Sequence, residues 1–333
     1  VTSARIVSTH APHARFVDAI GDRARIEVAR GVTPAALIDA AREADAIIVR
    51  ANLPPALFEA APRLRAAIRH GAGLDMVPME AATAAGVLVT NVPAVNARSV
   101  AEHVMMMALM LARRFRPIDA ALRAGVWQPA RDRAEANAEL HGRTLAVVGY
   151  GAIGRAVSGI AGRGFGMRVL AARRQNDAGQ HGAGQDGGVA FLPLDDAIAA
   201  ADVLVIACPL TDATRGLIDA RRIALMKPGA MMINVARGAI VEEAALVEAL
   251  SARRIAGAGL DVFTVQPLAP DHPLRFLDNV VLTPHIAGIT DDAMGAIAEV
   301  CAGQALDVLS GHMPRHLVNP EATPHYRRRF PAG

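Results

Sequence analysis

Three observations predict that the chain folds as an α/β protein with two parallel-sheet units. Short apolar runs recur along its 333 residues and alternate with helical patterns. The runs in the second half are almost continuously apolar, as strands covered by helices on both faces are. In each half a strand runs into a glycine-rich turn, Gly71-Ala72-Gly73 in one and Gly149-Tyr150-Gly151-Ala152-Ile153-Gly154 in the other.

In the first unit, residues 5–8, 25–28 and 46–50 read as strands. Residues 34–44 read as a helix, with Thr33 as N-cap and Pro34 at the first helical position, where a missing N–H costs nothing. Ile68 leads into His70 and the first glycine turn, and 87–90 is a further short strand before Asn91-Val92-Pro93. A long helix is predicted over 99–113, with Ser99 as N-cap and Glu102 completing a capping box. It is apolar nearly all round, so it must be covered on several sides, as at a domain junction or a subunit interface.

The second unit opens with a buried strand over 144–149. Further strands are predicted over 168–172, 203–207, 231–234, 257–261 and 280–283, with a helix over 242–252. Residues 179–188 are polar and glycine-rich and read as a surface loop. A last helix is predicted over 291–310; its position in the chain does not say which unit it packs on.

Composition narrows the function. Hydrophobic residues make up 52% and aromatics only 3%, so the core must be packed from small and branched aliphatics. The formal charge is +3. The cluster Arg327, Arg328 and Arg329 reads as a charged tail, since no basic stripe with interleaved aromatics accompanies it and no nucleic acid is expected. Lys227 is the one lysine, which argues against Schiff-base chemistry. Two cysteines cannot make a disulfide framework, and a reducing, cytoplasmic setting is expected. No leader is read at the N-terminus, and the most apolar helical stretch, 104–112, is far short of the roughly 20 residues of a membrane span. The histidines lack metal-ligand spacing, so no metal is expected.

The run from Gly149 to Gly154 matches G-x-G-x-x-G between a strand and a helix, the context that gives the motif its meaning. Gly149 permits a tight turn, Gly151 lets the backbone approach a pyrophosphate, and Gly154 lets helix and strand pack closely. Ala152 and Ile153 open the helix whose N-terminus faces the anion. The next strand ends in Arg173 and Arg174 where an NAD site carries an acid; Asp177 lies beyond it. An arginine fork pairs with the 2′-phosphate, so NADP is the expected cofactor ahead of NAD. The alternative is two solvent-facing arginines in a protein that takes either dinucleotide.

The segments Gly71-Ala72-Gly73-Leu74-Asp75, the fingerprint, Asn234-Val235-Ala236-Arg237-Gly238, Gly257-Ala258-Gly259-Leu260-Asp261-Val262-Phe263 and Thr283-Pro284-His285-Ile286-Ala287-Gly288 occur in that order. In these the chain, from about residue 45 to 320, resembles the D-2-hydroxyacid dehydrogenase family. The resemblance implies two Rossmann-like domains with parallel sheets, the cofactor domain inserted into the catalytic one. Residues 1–98 and 289–333 would form the substrate domain and 99–288 the NAD(P) domain, with dimerisation through the latter. The implied reaction interconverts a small 2-oxo acid, such as hydroxypyruvate or glyoxylate, and its 2-hydroxy acid.

Arg237 follows a strand end, where ligands bind in open α/β sheets, and by resemblance it holds the substrate. His285 has the side chain suited to proton transfer near neutrality, and by resemblance it is the acid of reduction. The backbone amides of Ala72 and Gly73 are the expected carboxylate site, with Asn96 as a substrate-side polar group. Arg50 and Asn52 follow a strand end and line the same cleft or its rim. The resemblance adds Asp261 at the nicotinamide carboxamide, and Pro209, Val235, Ala236 and Gly288 as cofactor contacts. Trp127 and Met76 are pocket walls or packing residues, and His103 reads as structural.

One departure matters. The family pairs its histidine with a glutamate in an E-P segment, and this chain has Gln266-Pro267. Glutamate stabilises an imidazolium; Gln266 orients the ring without charge, so reduction should fall away at lower pH than in a glutamate-bearing relative. Formate dehydrogenases also carry glutamine here, and share runs close to 99–107 and 266–273. Formate oxidation is therefore the enzymatic alternative, opposed by the Gly71–Asp75 loop. A non-catalytic dinucleotide sensor is the other, opposed by Arg237 and His285 together.

Overall fold

The computed structural model describes residues 4–173 and 188–331. The chain divides into two compact units, Val1–Asn96 with Ile289–Gly333, and Ala97–Gly288.

The first unit holds a five-stranded parallel sheet: β1 (Ala4–Ser8), β2 (Ala24–Val28), β3 (Ala46–Val49), β4 (Ala66–Arg69) and β5 (Leu88–Thr90), in the order β2-β1-β3-β4-β5. Alternation along the strands splits the core in two. Ile6, Ile48 and Ile68 face one side with Phe16 and Ile20 of the helix Ala14–Ile20. Val7, Ile47 and Val49 face the other with Leu37, Leu57 and Phe58. Each fully buried side chain of this size contributes about 1.5–3 kcal/mol. The closing helix Asp291–Leu309 lays Ile297, Ala298, Cys301, Ala302 and Ala305 on the first face, so it belongs to this unit. Thr290 caps it by accepting from the Ala293 amide at 3.2 Å, and Asp291 and Asp292 complement its first turn. Thr33 caps Pro34–Ala41 in the same way; that helix stops three residues short of the expected end.

Arg327 to Arg329 do not form a tail. They end the helix Thr323–Arg329, where Arg329 donates to the carbonyls of Ala85, Pro62 and Leu64 and lies over the Phe330 ring. Loop carbonyls without sheet partners recruit the guanidinium as a donor.

The second unit holds seven parallel strands: β6 (Thr144–Val148), β7 (Arg168–Arg173), β8 (Ala190–Pro193), β9 (Val203–Ile206), β10 (Met231–Asn234), β11 (Gly257–Leu260) and β12 (Val280–Leu282), ordered β12-β11-β10-β9-β6-β7-β8. Sequence patterning misses β8, a half-exposed edge strand ending in proline. Residues 179–187 of the expected surface loop lie outside the described residues. Helices Ala97–Ala112 and Ala152–Phe165 cover one face through Val100, Val104, Met107, Val157 and Ala161. Helices Leu194–Ala200 and Glu243–Ser251 cover the other.

The expected capping box at Ser99 does not form. The helix begins at Ala97, which puts Ser99 inside its first turn, and Glu102 is taken by Arg98 in an i,i+4 pair. Among the described residues no helix is long and apolar enough to cross a membrane, and no group of histidine, cysteine and acidic side chains could hold a metal ion.

Candidate functional site

Strand order places the fingerprint. In the second sheet the order reverses between β6 and β9, and the turn after β6 lies at that switch point. Gly149 has φ +101°, and a Cβ on it would lie 2.5 Å from the Cys208 amide nitrogen. A Cβ on Gly154 would lie 2.3 Å from the Gly149 oxygen, whereas one on Gly151 would meet nothing within 4 Å. The first and third glycines thus close the turn, and the second leaves space over it. Gly151 is the N-cap of Ala152–Phe165 and supplies no side chain, so the first-turn amides of Ala152, Ile153 and Gly154 stay available to an anion. This cradle fits a dinucleotide pyrophosphate.

Arg173 is the last residue of β7, and pairing of Val148 with Ala172 sets it level with Gly149. Arg174 lies outside the described residues. Pro209 follows β9, and its carbonyl accepts from the Thr214 hydroxyl at 2.7 Å. Val235 and Ala236 follow β10 and are buried, and Gly288 is half-buried.

His285 stands on a turn after β12 in the left-handed region, φ +58°. Asp261, just past β11 and 1% exposed, holds this turn. Its carboxylate accepts from the Ile286 amide (2.8 Å), the Ala287 amide (2.9 Å) and the Thr283 hydroxyl (2.6 Å), and its carbonyl accepts from the His285 amide (2.8 Å). His103, from the long helix, reaches Thr283 Oγ1 at 3.0 Å and lies 3.9 Å from Asp261. Burial lowers the His103 pKa, opposed by the Asp261 charge.

Gln266 turns its Oε1 to His285 Nδ1 at 3.0 Å, and its amide nitrogen donates to the Phe263 carbonyl at 3.4 Å. An amide oxygen only accepts, so Nδ1 carries a hydrogen and neutral His285 keeps its lone pair on Nε2. The segment bearing Gln266 is anchored at Glu243, which accepts from the Thr264 amide at 3.2 Å and meets His272 Nε2 at 3.3 Å.

Arg237 follows β10. Buried Asn234 shapes its turn, accepting from the Ala236 amide and donating to the Arg237 carbonyl, both at 3.0 Å. The guanidinium also donates to the Ala236 carbonyl at 2.7 Å. Arg237, Asp261 and His285 thus follow three adjacent strands, β10, β11 and β12, at one carboxyl edge.

The other candidates are in the first unit. Its strand order reverses between β1 and β3. Pairing of Ser8 with Ile48 and of Ile48 with Ile68 brings His10, Arg50 and His70, two residues further along each strand, into one row. His70 is buried, and burial, reinforced by the Arg50 charge, pulls its pKa down to about 4. The same two causes lower His10. Ala72 is exposed and Gly73 half-buried beside this row, Asn52 is exposed, and Asn96 is the unit's last residue before the chain enters the second. Met76 packs against the core, and its carbonyl accepts from the Leu53 amide at 2.9 Å. Trp127 is 68% exposed on the second unit.

Sequence reading assigned no site role to Arg69, Asn234 or Thr283. Asn234 carried a signal, a polar residue closing a buried apolar strand. Thr283 and Arg69 carried none, because their partners are distant in the chain or are backbone carbonyls.

The profile described as "D-isomer specific 2-hydroxyacid dehydrogenase, NAD binding domain" matches residues 105–287. The chain is 36% identical over 291 residues to a glyoxylate reductase of Pyrococcus furiosus, covering 86% of this chain and 85% of that one. A crystal structure of a Thermus thermophilus protein superposes with a TM-score of 0.85 at 34% identity, over 94% of this chain and 99% of that one. The NADPH-dependent glyoxylate/hydroxypyruvate reductase of Sinorhizobium meliloti, in complex with NADP and malonate, gives 0.81 at 29% identity, over 97% and 98%.

Proposed function

The chain belongs to the D-2-hydroxyacid dehydrogenase family, and from that premise we propose that it reduces a small 2-oxo acid, such as hydroxypyruvate or glyoxylate, with NADPH ahead of NADH. It is an NAD(P)-dependent oxidoreductase acting on CH–OH donors. The observation that carries the reading is His285, its Nδ1 bound to Gln266 and its turn fastened by Asp261.

When bound, the nicotinamide supplies a hydride to C2 of the substrate. The chain's own groups do the rest. Arg237 pairs with the substrate carboxylate and draws electron density from the 2-oxo oxygen. The amides of Ala72 and Gly73 receive the same carboxylate, and Asn96 and Arg50 face the remainder of the molecule. Protonated His285 gives its Nε2 proton to the forming alkoxide, and in oxidation the neutral ring takes it back. Gly149, Gly151, Ala152, Ile153 and Gly154 hold the pyrophosphate. Pro209, Val235, Ala236, Asp261 and Gly288 flank the nicotinamide end, and Arg173 and Arg174 take the 2′-phosphate. The unit Ala97–Gly288 is then the cofactor domain, and the other binds substrate. The active species is a homodimer, which the exposed apolar side chains Met106, Leu109, Phe115, Leu122, Val126 and Trp127 of the second unit support.

Initial rates of NADPH and NADH oxidation on hydroxypyruvate and glyoxylate, with formate-dependent NAD(P) reduction alongside, test the reading. Fast NADPH oxidation on either 2-oxo acid is expected. Faster NADH oxidation would overturn the role of the two arginines and leave the reaction standing. Formate turnover without 2-oxo acid reduction would transfer the chain to the formate reading that Gln266 raises.

A further inference from the structure

We propose that Arg69 is the internal strut of the loop that receives the substrate carboxylate, a positioning residue that acts on catalysis by fixing the amides of Ala72 and Gly73. This rests on the proposed 2-oxo acid reduction. Arg69 is the last residue of β4, and the loop begins at the next position. Its guanidinium donates from Nε to the Gly73 carbonyl at 3.0 Å, and from Nη1 to the Val49 carbonyl at 3.2 Å and to the His70 carbonyl. One side chain thus joins the end of β3, the start of the loop and its far side.

The consequence follows from peptide planarity. Four successive carbonyls are tied to protein donors: His70 and Gly73 to Arg69, Gly71 to the Val92 amide at 2.9 Å, and Ala72 to the Asn91 side chain at 2.8 Å. In a trans peptide the N–H points opposite to the C=O. The N–H groups of Ala72 and Gly73 share peptides with the carbonyls of Gly71 and Ala72, so they point away from those donors. Neither donates to a protein group among the described residues. Two neighbouring N–H groups left for an outside acceptor, on a loop braced by the half-buried Arg69 guanidinium, form an anion receptor. Gly71 suits this loop by its backbone: it has φ +136°, a conformation that residues with a Cβ rarely adopt. Arginine suits the task because it donates in several directions and accepts nothing.

The test uses full-length Arg69→Lys and Arg69→Gln proteins. Amide hydrogen exchange over residues 70–75 should quicken in both, more in Arg69→Gln. KM for hydroxypyruvate and the inhibition constant of oxalate, a carboxylate probe, should rise together by about 10- to 100-fold, the loss expected when charge-assisted anchoring is removed. The dissociation constant for NADPH should not move, since the fingerprint lies in the other unit. Unchanged exchange and unchanged KM in both variants would overturn the proposal, as would faster exchange with an unchanged KM and oxalate constant. Should Arg69→Gln fail to fold, Arg69→Lys decides by the same readings. A wild-type protein that reduces no 2-oxo acid would sink the proposed function alone. Oxalate protection of residues 71–74 from exchange, present in the wild type and lost in the variants, would then still support the strut, and its persistence in them would overturn it.

Discussion

Two turns at the carboxyl edges of the two sheets are held by opposite chemistry. In the second unit the turn bearing His285 is fastened by a carboxylate, Asp261, which accepts from two amides and a hydroxyl. In the first, the Gly71–Gly73 loop is fastened by a guanidinium, Arg69, which donates to three carbonyls. The difference follows from what each turn presents. A turn that offers a side chain must dispose of its own amides, which calls for a group that only accepts. A loop that offers amides must dispose of its carbonyls, which calls for a group that only donates.

The largest effect should come from reversing the acceptor. Asp261→Asn sets an amide nitrogen against N–H groups that need an acceptor. Weakening three hydrogen bonds to a buried charge should cost about 3–5 kcal/mol of stability and lower kcat by about 100-fold or more. Urea unfolding and single-turnover kinetics would check this; a variant of wild-type stability and rate would show that the turn holds without Asp261.

Acid should separate the two units. Burial, reinforced by the Arg50 charge, pulls the His70 pKa down to about 4, from the ordinary histidine value of about 6.5. Between those values the unfolded chain binds the extra proton, so stability is fully present above pH 6.5 and is lost as pH falls toward 4. The loss attributable to His70 is roughly 3 kcal/mol. His103 shifts the same way, but there the Asp261 charge opposes burial, whereas Arg50 and Arg69 reinforce it at His70. Amide exchange at pH 5 should therefore open the first unit before the second, and His70→Gln should remove much of that difference.

Gln266→Glu sharpens the comparison at His285. A carboxylate at Nδ1 stabilises the imidazolium, so the pH at which reduction falls away should rise by about one unit in a profile of kcat/KM. Superimposable profiles would mean that Gln266 only orients the ring. The smallest effect belongs to a cap: Thr290→Ala should cost about 1 kcal/mol by thermal unfolding, since the hydrogen bond that its hydroxyl oxygen accepts from the Ala293 amide is lost.

Much of this architecture was legible in the chain. The strand Val203–Ile206 is buried on both faces, so its residues are apolar throughout, and Met231–Asn234 departs from that pattern only at its last residue. The fingerprint was legible because its glycines serve close backbone approaches at fixed offsets. The edge strand Ala190–Pro193 was not, since half-exposed residues need not be apolar. Ser99 misled because a capping pattern holds only where a helix starts, and Arg98 competes for Glu102. Arg329 misled because a charged residue near a terminus looks the same whether it faces water or closes over three carbonyls.

The sequence by itself determined two parallel-sheet units, the phosphate cradle after β6, and the strand ends that carry Arg237 and His285. These depend on local periodicity and on residue types needed at fixed spacing. Only the tertiary structure decided what holds those groups in place. His103 and Thr283 are 180 residues apart and meet at 3.0 Å, and Arg69 finds its partners in carbonyls that any residue type could supply. Backbone acceptors leave no mark on side-chain identity, so no reading of residue types could have located the strut.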